Sequence, residues 1–239
     1  MSLKRLKAEL EKLGDREKAK DLQWFFKTGP GEYAEGDRFI GITVPRLREL
    51  AKRYPTLTLP EALRLLRSRI HEARFLALLL LMQQYRQADL PGKKRIYQAY
   101  LGHTAYINNW DLVDVSAKGI IGAFLEDKDR APLYKLARSH SLWERRIAVL
   151  STFWFIAKDD FKESLALGAL LVADPHDLIH KAVGWMLREI GKKDLVAEEK
   201  FLKKYGAVMP RTMLRYAIER FPEAKRQSYL RLSRTARHN

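Results

Sequence analysis

Cysteine is absent from the 239-residue chain. That excludes a disulfide framework and a thiolate zinc site, and it suits a reducing compartment. Long apolar runs are missing too. The longest, Phe75 to Met82, is far shorter than the ~20 residues a transmembrane helix needs. The start, Met1-Ser-Leu-Lys-Arg-Leu-Lys7, is basic but lacks the apolar stretch of a signal peptide. Strand signals are scarce, with few alternating Val/Ile/Thr runs and no Asn-Gly or Asp-Gly pair. There is no glycine-rich loop of the P-loop or dinucleotide type. The six histidines, His71, His103, His140, His176, His180 and His238, are scattered. His176 and His180 are four apart without a third ligand, which makes them surface or cap residues. These absences lead us to expect a soluble, cytoplasmic protein with no metal and no cofactor.

Positive charge dominates what is present. Lys and Arg number 45 against 29 Asp and Glu, a formal net charge of +16. Such an excess points to a polyanionic partner, nucleic acid first and an anionic membrane surface second. Hydrophobic residues make up 46% of the chain, enough for a packed core, so a disordered basic tail is excluded.

The apolar residues recur with helical period. Leu3, Leu6, Leu10 and Leu13 form one stripe. Pro45, Pro60, Pro132 and Pro210 suit first helical turns. Ser141 and Glu144 form a capping box, and Asp177 is placed to cap the helix after it. Thr28 to Gly41 is the one long irregular stretch, and no Ser/Gly linker divides the chain, so residues 1–239 read as a single all-α domain.

A weak repeat runs through these helices. Arg74, Arg145 and Lys181 each stand three positions before a small residue, Ala77, Ala148 and Gly184, and Ala217 continues the series. A period of roughly 35–47 residues, two helices each, predicts a curved helical solenoid with a concave face. The missing register falls near Val113, within Asn108-Asn-Trp-Asp-Leu-Val-Asp-Val-Ser-Ala-Lys118. Asn108 or Asn109 can cap this helix, and Asp111 suits its positive end. Val113, Ala117, Ile120, Ile121 and Phe124 form its core stripe, with Trp110 and Asp114 sharing the face beside it. Trp110 occupies the slot held by Arg74, Arg145 and Lys181 elsewhere. Asp114 occupies the slot of Leu78, Val149 and Trp185. The spacing of Asp114 also fits an ion pair with Lys118, and either tryptophan also fits a core.

The segments Asn109-Trp-Asp-Leu-Val-Asp114, Leu142-Trp-Glu-Arg-Arg-Ile-Ala-Val-Leu150, His180-Lys-Ala-Val-Gly-Trp-Met-Leu-Arg-Glu189 and Phe39-Ile-Gly-Ile-Thr-Val-Pro-Arg46 resemble the AlkD family of DNA alkylation repair enzymes, in order and over nearly the whole chain. The resemblance implies a stack of HEAT-like repeats that excises N3- and N7-alkylated purines by cleaving the N-glycosidic bond. It places the catalytic carboxylate on Asp114, two lesion-flanking tryptophans on Trp110 and Trp185, and a site arginine on Arg146. Arg145 beside it is an alternative on the same helix. A site tyrosine of some members falls near Phe25, where this chain offers an apolar face and no hydroxyl. Arg46, Lys181 and Arg188, with Arg48, Lys52, Lys93, Lys94, Lys192, Lys193 and the tail after Lys225, supply phosphate contacts in this reading. The implied partner is double-stranded DNA, bound by a monomer. Two other functions fit the composition: a non-catalytic, structure-specific DNA-binding repeat protein, and a scaffold for an acidic protein.

Overall fold

Thr58 opens its helix in the manner its sequence suggests: the Glu61 carboxylate accepts from the Thr58 N–H at 2.9 Å and from its hydroxyl at 2.8 Å, behind Pro60 in the first turn. The computed structural model describes residues 2–235, so His238 and the end of the basic tail lie outside the described residues. Among the described residues the regular structure is helical apart from one isolated bridge, Arg38 to Ile70, as expected for an all-α chain. Among the described residues no helix is long and apolar enough to cross a membrane. The chain forms two compact units, Met1–Ser116 and Ala117–Asn239.

The first unit contains α1 (Leu3–Lys12), α2 (Arg16–Phe25), α3 (Val44–Lys52), α4 (Leu59–Leu66), α5 (His71–Gln87), α6 (Leu90–Leu101) and the start of α7 (Trp110–Ala117). Helix α5 packs against α3, α4 and α6. Leu76, Ala77, Leu78 and Leu81 are wholly buried in it. A helix apolar on every side belongs in an interior, which accounts for the run from Phe75 to Met82. The irregular stretch before α3 is held to α5 by Glu72. Its carboxylate accepts from the backbone N–H of Ile40 at 3.0 Å, Gly41 at 2.8 Å and Ile42 at 3.2 Å. Gly41 has φ +84°, and a Cβ there would lie 1.9 Å from Asp15 O. Only glycine fits.

The second unit begins with a π-helical turn, Lys118–Gly122. It continues through α8 (Ala131–Ala137), α9 (Leu142–Ser151), α10 (Phe153–Ile156), α11 (Lys162–Leu170), α12 (Asp177–Gly191), α13 (Leu195–Tyr205), α14 (Arg211–Ala217) and α15 (Glu223–Thr235). Helix α12 buries Ile179, Ala182, Val183, Met186, Leu187 and Ile190 and packs against α9, α11, α13 and α14. Two helix starts differ from expectation. His176, not Asp177, is the N-cap of α12, its Nδ1 accepting from Leu178 N at 3.1 Å; Asp177 sits in the first turn and pairs with Lys181. Pro210 stands one residue before α14 rather than inside it. Caps depend on where the backbone leaves helical angles, and a one-residue shift costs little in the sequence pattern.

The repeat register has a structural meaning in each unit. Ala77, Ala148 and Ala217 are all but wholly buried. Arg74 donates to Ser68 O at 3.1 Å, and Arg145 donates to Ser139 O, also at 3.1 Å. Each arginine thus satisfies the carbonyl six residues upstream, in the loop entering its own helix. Each also pairs with a distant carboxylate, Asp37 for Arg74 and Asp174 for Arg145. The core stripe beside Trp110 and Asp114 is as expected: Val113, Ala117, Ile120, Ile121 and Phe124 are all buried.

Candidate functional site

In the first unit Asn109 directly precedes α7: its carbonyl accepts the first bond of the helix, from Val113 N at 3.2 Å, and its side-chain oxygen accepts from Trp110 N at 2.8 Å. This resolves the choice of cap residue in favour of Asn109, which is fully buried. Trp110 is half-buried against a cluster of Ala19, Phe26 and Phe39. Its ring stacks on Phe26 at 5.1 Å between centroids, and Phe25 meets its edge at 6.1 Å. Phe25 itself is 56% exposed. The structure therefore brings Phe25 and Trp110 together as one aromatic surface, with the open ring of Phe25 at its rim.

Beneath that surface lies a charged network that sequence reasoning missed. Phe26 stacks on Phe39, and Phe39 stacks on His71 at 4.3 Å. The His71 ring has Nδ1 at 2.9 Å from Asp37 Oδ2 and Nε2 at 2.8 Å from Asp111 Oδ2. Arg74 holds both oxygens of Asp37, at 2.6 and 2.8 Å. An imidazole with a carboxylate on each nitrogen donates from both, so it is the imidazolium. Burial works against that charge, but the hydrogen bonds of Asp111 and Asp37 outweigh it and raise the His71 pKa above its ordinary value. Burial likewise works against the Asp37 anion, and His71 with Arg74 overcomes it, holding the carboxyl below the usual range.

Asp114 lies one turn beyond Trp110 on α7 and is partly buried. Nearby Tyr100 is fully buried, and its hydroxyl lies 2.9 Å from Ser116 Oγ, which donates in turn to Leu112 O at 2.6 Å. Burial drives the Tyr100 pKa far up, and the charge of Asp114 adds to the rise. Arg46 is exposed on α3.

In the second unit Trp185 is half-buried on α12. Its ring meets Phe153 edge-on at 5.6 Å, and its Nε1 donates to Glu189 Oε1 at 3.1 Å. Lys118 lies 3.9 Å over the Phe153 ring, and burial pulls its ammonium below the usual lysine range against the opposing charge of Glu189. The cations expected to meet phosphate are already engaged here. Arg145 pairs with Asp174 at 2.7 Å. Arg146 is 5% exposed and donates to Leu178 O at 2.5 Å. Lys181 pairs with Asp177 at 2.8 Å, and Arg188 pairs with Glu219 and Glu189. A phosphate reaching any of the four must displace a partner.

Among solved structures the chain is similar to a predicted DNA alkylation repair enzyme from Enterococcus faecalis, at 19% identity and a TM-score of 0.68, over 88% of this chain and 97% of that one. It is also similar to AlkD2 from Streptococcus mutans, at 20% identity and a TM-score of 0.54, over 93% of this chain and all of that one. These likenesses establish the helical-repeat fold. No curated protein matches the sequence. The family model of DNA alkylation repair enzymes matches residues 6–221. That span takes in α7, with Trp110 and Asp114, and α12, with Trp185; this chain belongs to the DNA alkylation repair enzyme family.

Proposed function

We propose that the chain is a DNA glycosylase releasing cationic N3- and N7-alkylated purines from double-stranded DNA, with Asp114 as its catalytic carboxylate. The observation that carries this reading is the face of α7, where Asp114 follows one turn after a tryptophan mounted on an aromatic stack. An N3- or N7-alkylpurine already carries positive charge, so it leaves without a general acid. What the reaction needs is one anion beside the sugar as oxocarbenium character develops, able also to position water. Trp110 and Phe25 offer the cationic base an aromatic surface, where a cation over an indole gains ~0.5–2 kcal/mol; a neutral purine lacks that gain. Trp185 is a second such surface in this reading. Arg46 contacts phosphate directly, while Arg145, Arg146, Lys181 and Arg188 do so by exchanging their present partners.

The test is release of 7-methylguanine and 3-methyladenine from methylated duplex DNA by the wild type and by Asp114→Asn. The wild type releases base, and the variant binds DNA but does not. A wild type that releases neither base ends the glycosylase reading and leaves that of a non-catalytic DNA-binding protein. A fully active Asp114→Asn ends the assignment of the carboxylate.

A further inference from the structure

The cations expected to hold phosphate in the second unit are occupied, whereas a group in the first unit is not. A cavity of about 350 Å³ opens beside the turn that leads into α7, lined by Arg38, Arg67, Arg69, Arg74, Tyr106 and Asn108. Arg38, Arg67 and Arg69 are exposed, and among the described residues no carboxylate pairs with them. Arg67 is nevertheless fixed in place. Its guanidinium lies 2.9 Å from His103 Nε2, and His103 Nδ1 lies 2.7 Å from Ala99 O. A ring that donates from Nδ1 to a carbonyl accepts at Nε2 as the neutral imidazole, so it orients Arg67 without cancelling its charge.

The two carboxylates of the wall are both engaged. Asp37 is neutralised by Arg74 and His71, and Glu35 accepts from Gly31 N at 3.0 Å. Four arginines against these two carboxylates leave the lining net positive. Among the described residues, two buried polar atoms of its wall have no hydrogen-bond partner. Arg74 is 4% exposed, and its Nε has no hydrogen-bond partner although its other nitrogens do. The buried side-chain oxygen of Asn108 is also unpartnered. An amide turned over presents its NH2 at that position instead. Buried donors left unsatisfied cost stability unless something binds them. Tyr106, 39% exposed at the same wall, gives a flat apolar flank.

We propose that this cavity is an anchoring site for a backbone phosphate of the DNA, with Arg67 and Arg69 as its main cations. Guanidinium groups suit a phosphodiester because they donate in a planar fork. The volume exceeds one phosphate and leaves room for an adjoining sugar against Tyr106. Asn108 and Trp110 are two residues apart, so a phosphate held here fixes the duplex beside the aromatic surface. The proposal rests on the DNA-repair reading above and adds a contact that the sequence did not single out.

The experiment measures binding of a methylated duplex by fluorescence anisotropy over a range of salt, for the wild type, Arg67→Gln/Arg69→Gln and, as a control for lost charge, Lys200→Gln/Lys203→Gln on α13. Circular dichroism checks that each variant folds. The arginine variant should bind about tenfold more weakly at low salt, with a salt slope smaller by about 1, as for one lost phosphate contact. The lysine control should lose much less. Equal losses in the two variants overturn the site. Titration with inorganic phosphate and with a mononucleotide separates the sources. Tight mononucleotide binding, together with DNA binding unaffected by the arginine changes, overturns the DNA assignment in favour of a small-ligand site. Base release is read from the same samples. Without base release but with the arginine-dependent binding loss, the glycosylase reading fails and the phosphate site stands. With base release but no such loss, only the phosphate site fails.

Discussion

His71 Nε2 lies 2.8 Å from Asp111 Oδ2, and this bond ties the first residue of α5 to the first turn of α7. Asp111 directly follows Trp110. The same ring holds Asp37 on its other side and lies under the Phe39 and Phe26 stack that carries the Trp110 indole. His71 thereby connects the charge network of the first unit to the orientation of its aromatic surface. Replacing it with Gln removes a buried cation from between two carboxylates. Breaking a buried ion pair from one side costs about 3–5 kcal/mol, and the lower end applies because Arg74 still holds Asp37. Urea unfolding of His71→Gln measures this loss.

The network also sets a pH dependence. The folded pKa of His71 is raised, so its contribution is complete below the unfolded value and is lost as pH rises through the folded value. Asp37 is lowered, so its contribution is present above the unfolded value and lost as pH falls through the folded one. Stability of the wild type should therefore decline as pH rises above the ordinary histidine value. His71→Gln should show a shallower decline, keeping only the share that Glu198 contributes, and should keep the acid limb. Unfolding midpoints from about pH 2 to about pH 9 test the pair of trends, and a variant whose decline with rising pH is as steep as that of the wild type contradicts the assignment.

Trp110 and Phe25 should separate stability from recognition. Trp110→Ala removes the stack on Phe26 and packing on the Ala19 and Phe39 cluster, a loss of about 1–3 kcal/mol for a half-buried aromatic. Phe25 is mostly exposed, so Phe25→Ala should cost under about 0.5 kcal/mol. Both should lower kcat/KM for base release, Trp110→Ala by about 2- to 30-fold if a cation–aromatic contact is lost. Trp110→Phe should recover most of the stability. A Phe25→Ala enzyme with unchanged kcat/KM removes Phe25 from the lesion surface.

What the sequence made legible follows from distance along the chain. Helical period, the starts at Pro45, Pro60 and Pro132, and the stripe from Val113 to Phe124 are local patterns that match the structure. The arginine register was visible as spacing. Its cause was not, because a bond from Arg74 to Ser68 O involves a carbonyl that every residue has. The His71 network joins residues 34 and 40 positions apart, one in the irregular stretch and two at the starts of different helices, so no local pattern marked their pairing. The partners of Arg145 and Arg188, Asp174 and Glu219, are likewise remote, and for that reason cations that looked free in the sequence are engaged in the fold.

Glu198 offers a prediction in the second unit. It is 1% exposed, and among the described residues its Oε1 has no hydrogen-bond partner. Burial, with the nearby charge of Glu199, raises its pKa to about 8. A folded value above the unfolded one means that folding takes up a proton, so stability falls as pH rises from the unfolded value through the folded one. Glu198→Gln keeps the shape and removes the titration. It should raise stability at about pH 8 by at least about 1 kcal/mol, or about 2–4 °C in Tm, and change little near pH 4. Thermal unfolding at the two pH values decides it; equal effects at both contradict the raised pKa.

Gly184 precedes Trp185 on α12 and holds the small-residue slot that Ala77 and Ala148 hold in other repeats. In an open helix a glycine-to-alanine change stabilises by about 0.5–1 kcal/mol. Here a Cβ would lie 2.4 Å from Met213 O and 2.6 Å from Tyr216 Cβ on α14. Backbone cannot yield as a flexible side chain does, so α12 and α14 must separate. Overpacking of this kind costs about 1–3 kcal/mol and outweighs the helix-propensity gain. Gly168→Ala is the internal comparison, because the nearest atoms its Cβ would meet are in the Phe201 ring at 3.3 Å and Val183 Cγ1 at 3.4 Å, both side chains able to shift. Gly184→Ala should therefore destabilise while Gly168→Ala stays near neutral in chemical denaturation. The reverse order contradicts the close approach of α12 and α14. If the Gly184 substitution also tilts α12, the Trp185 indole moves with it, and base release should fall further than stability alone explains.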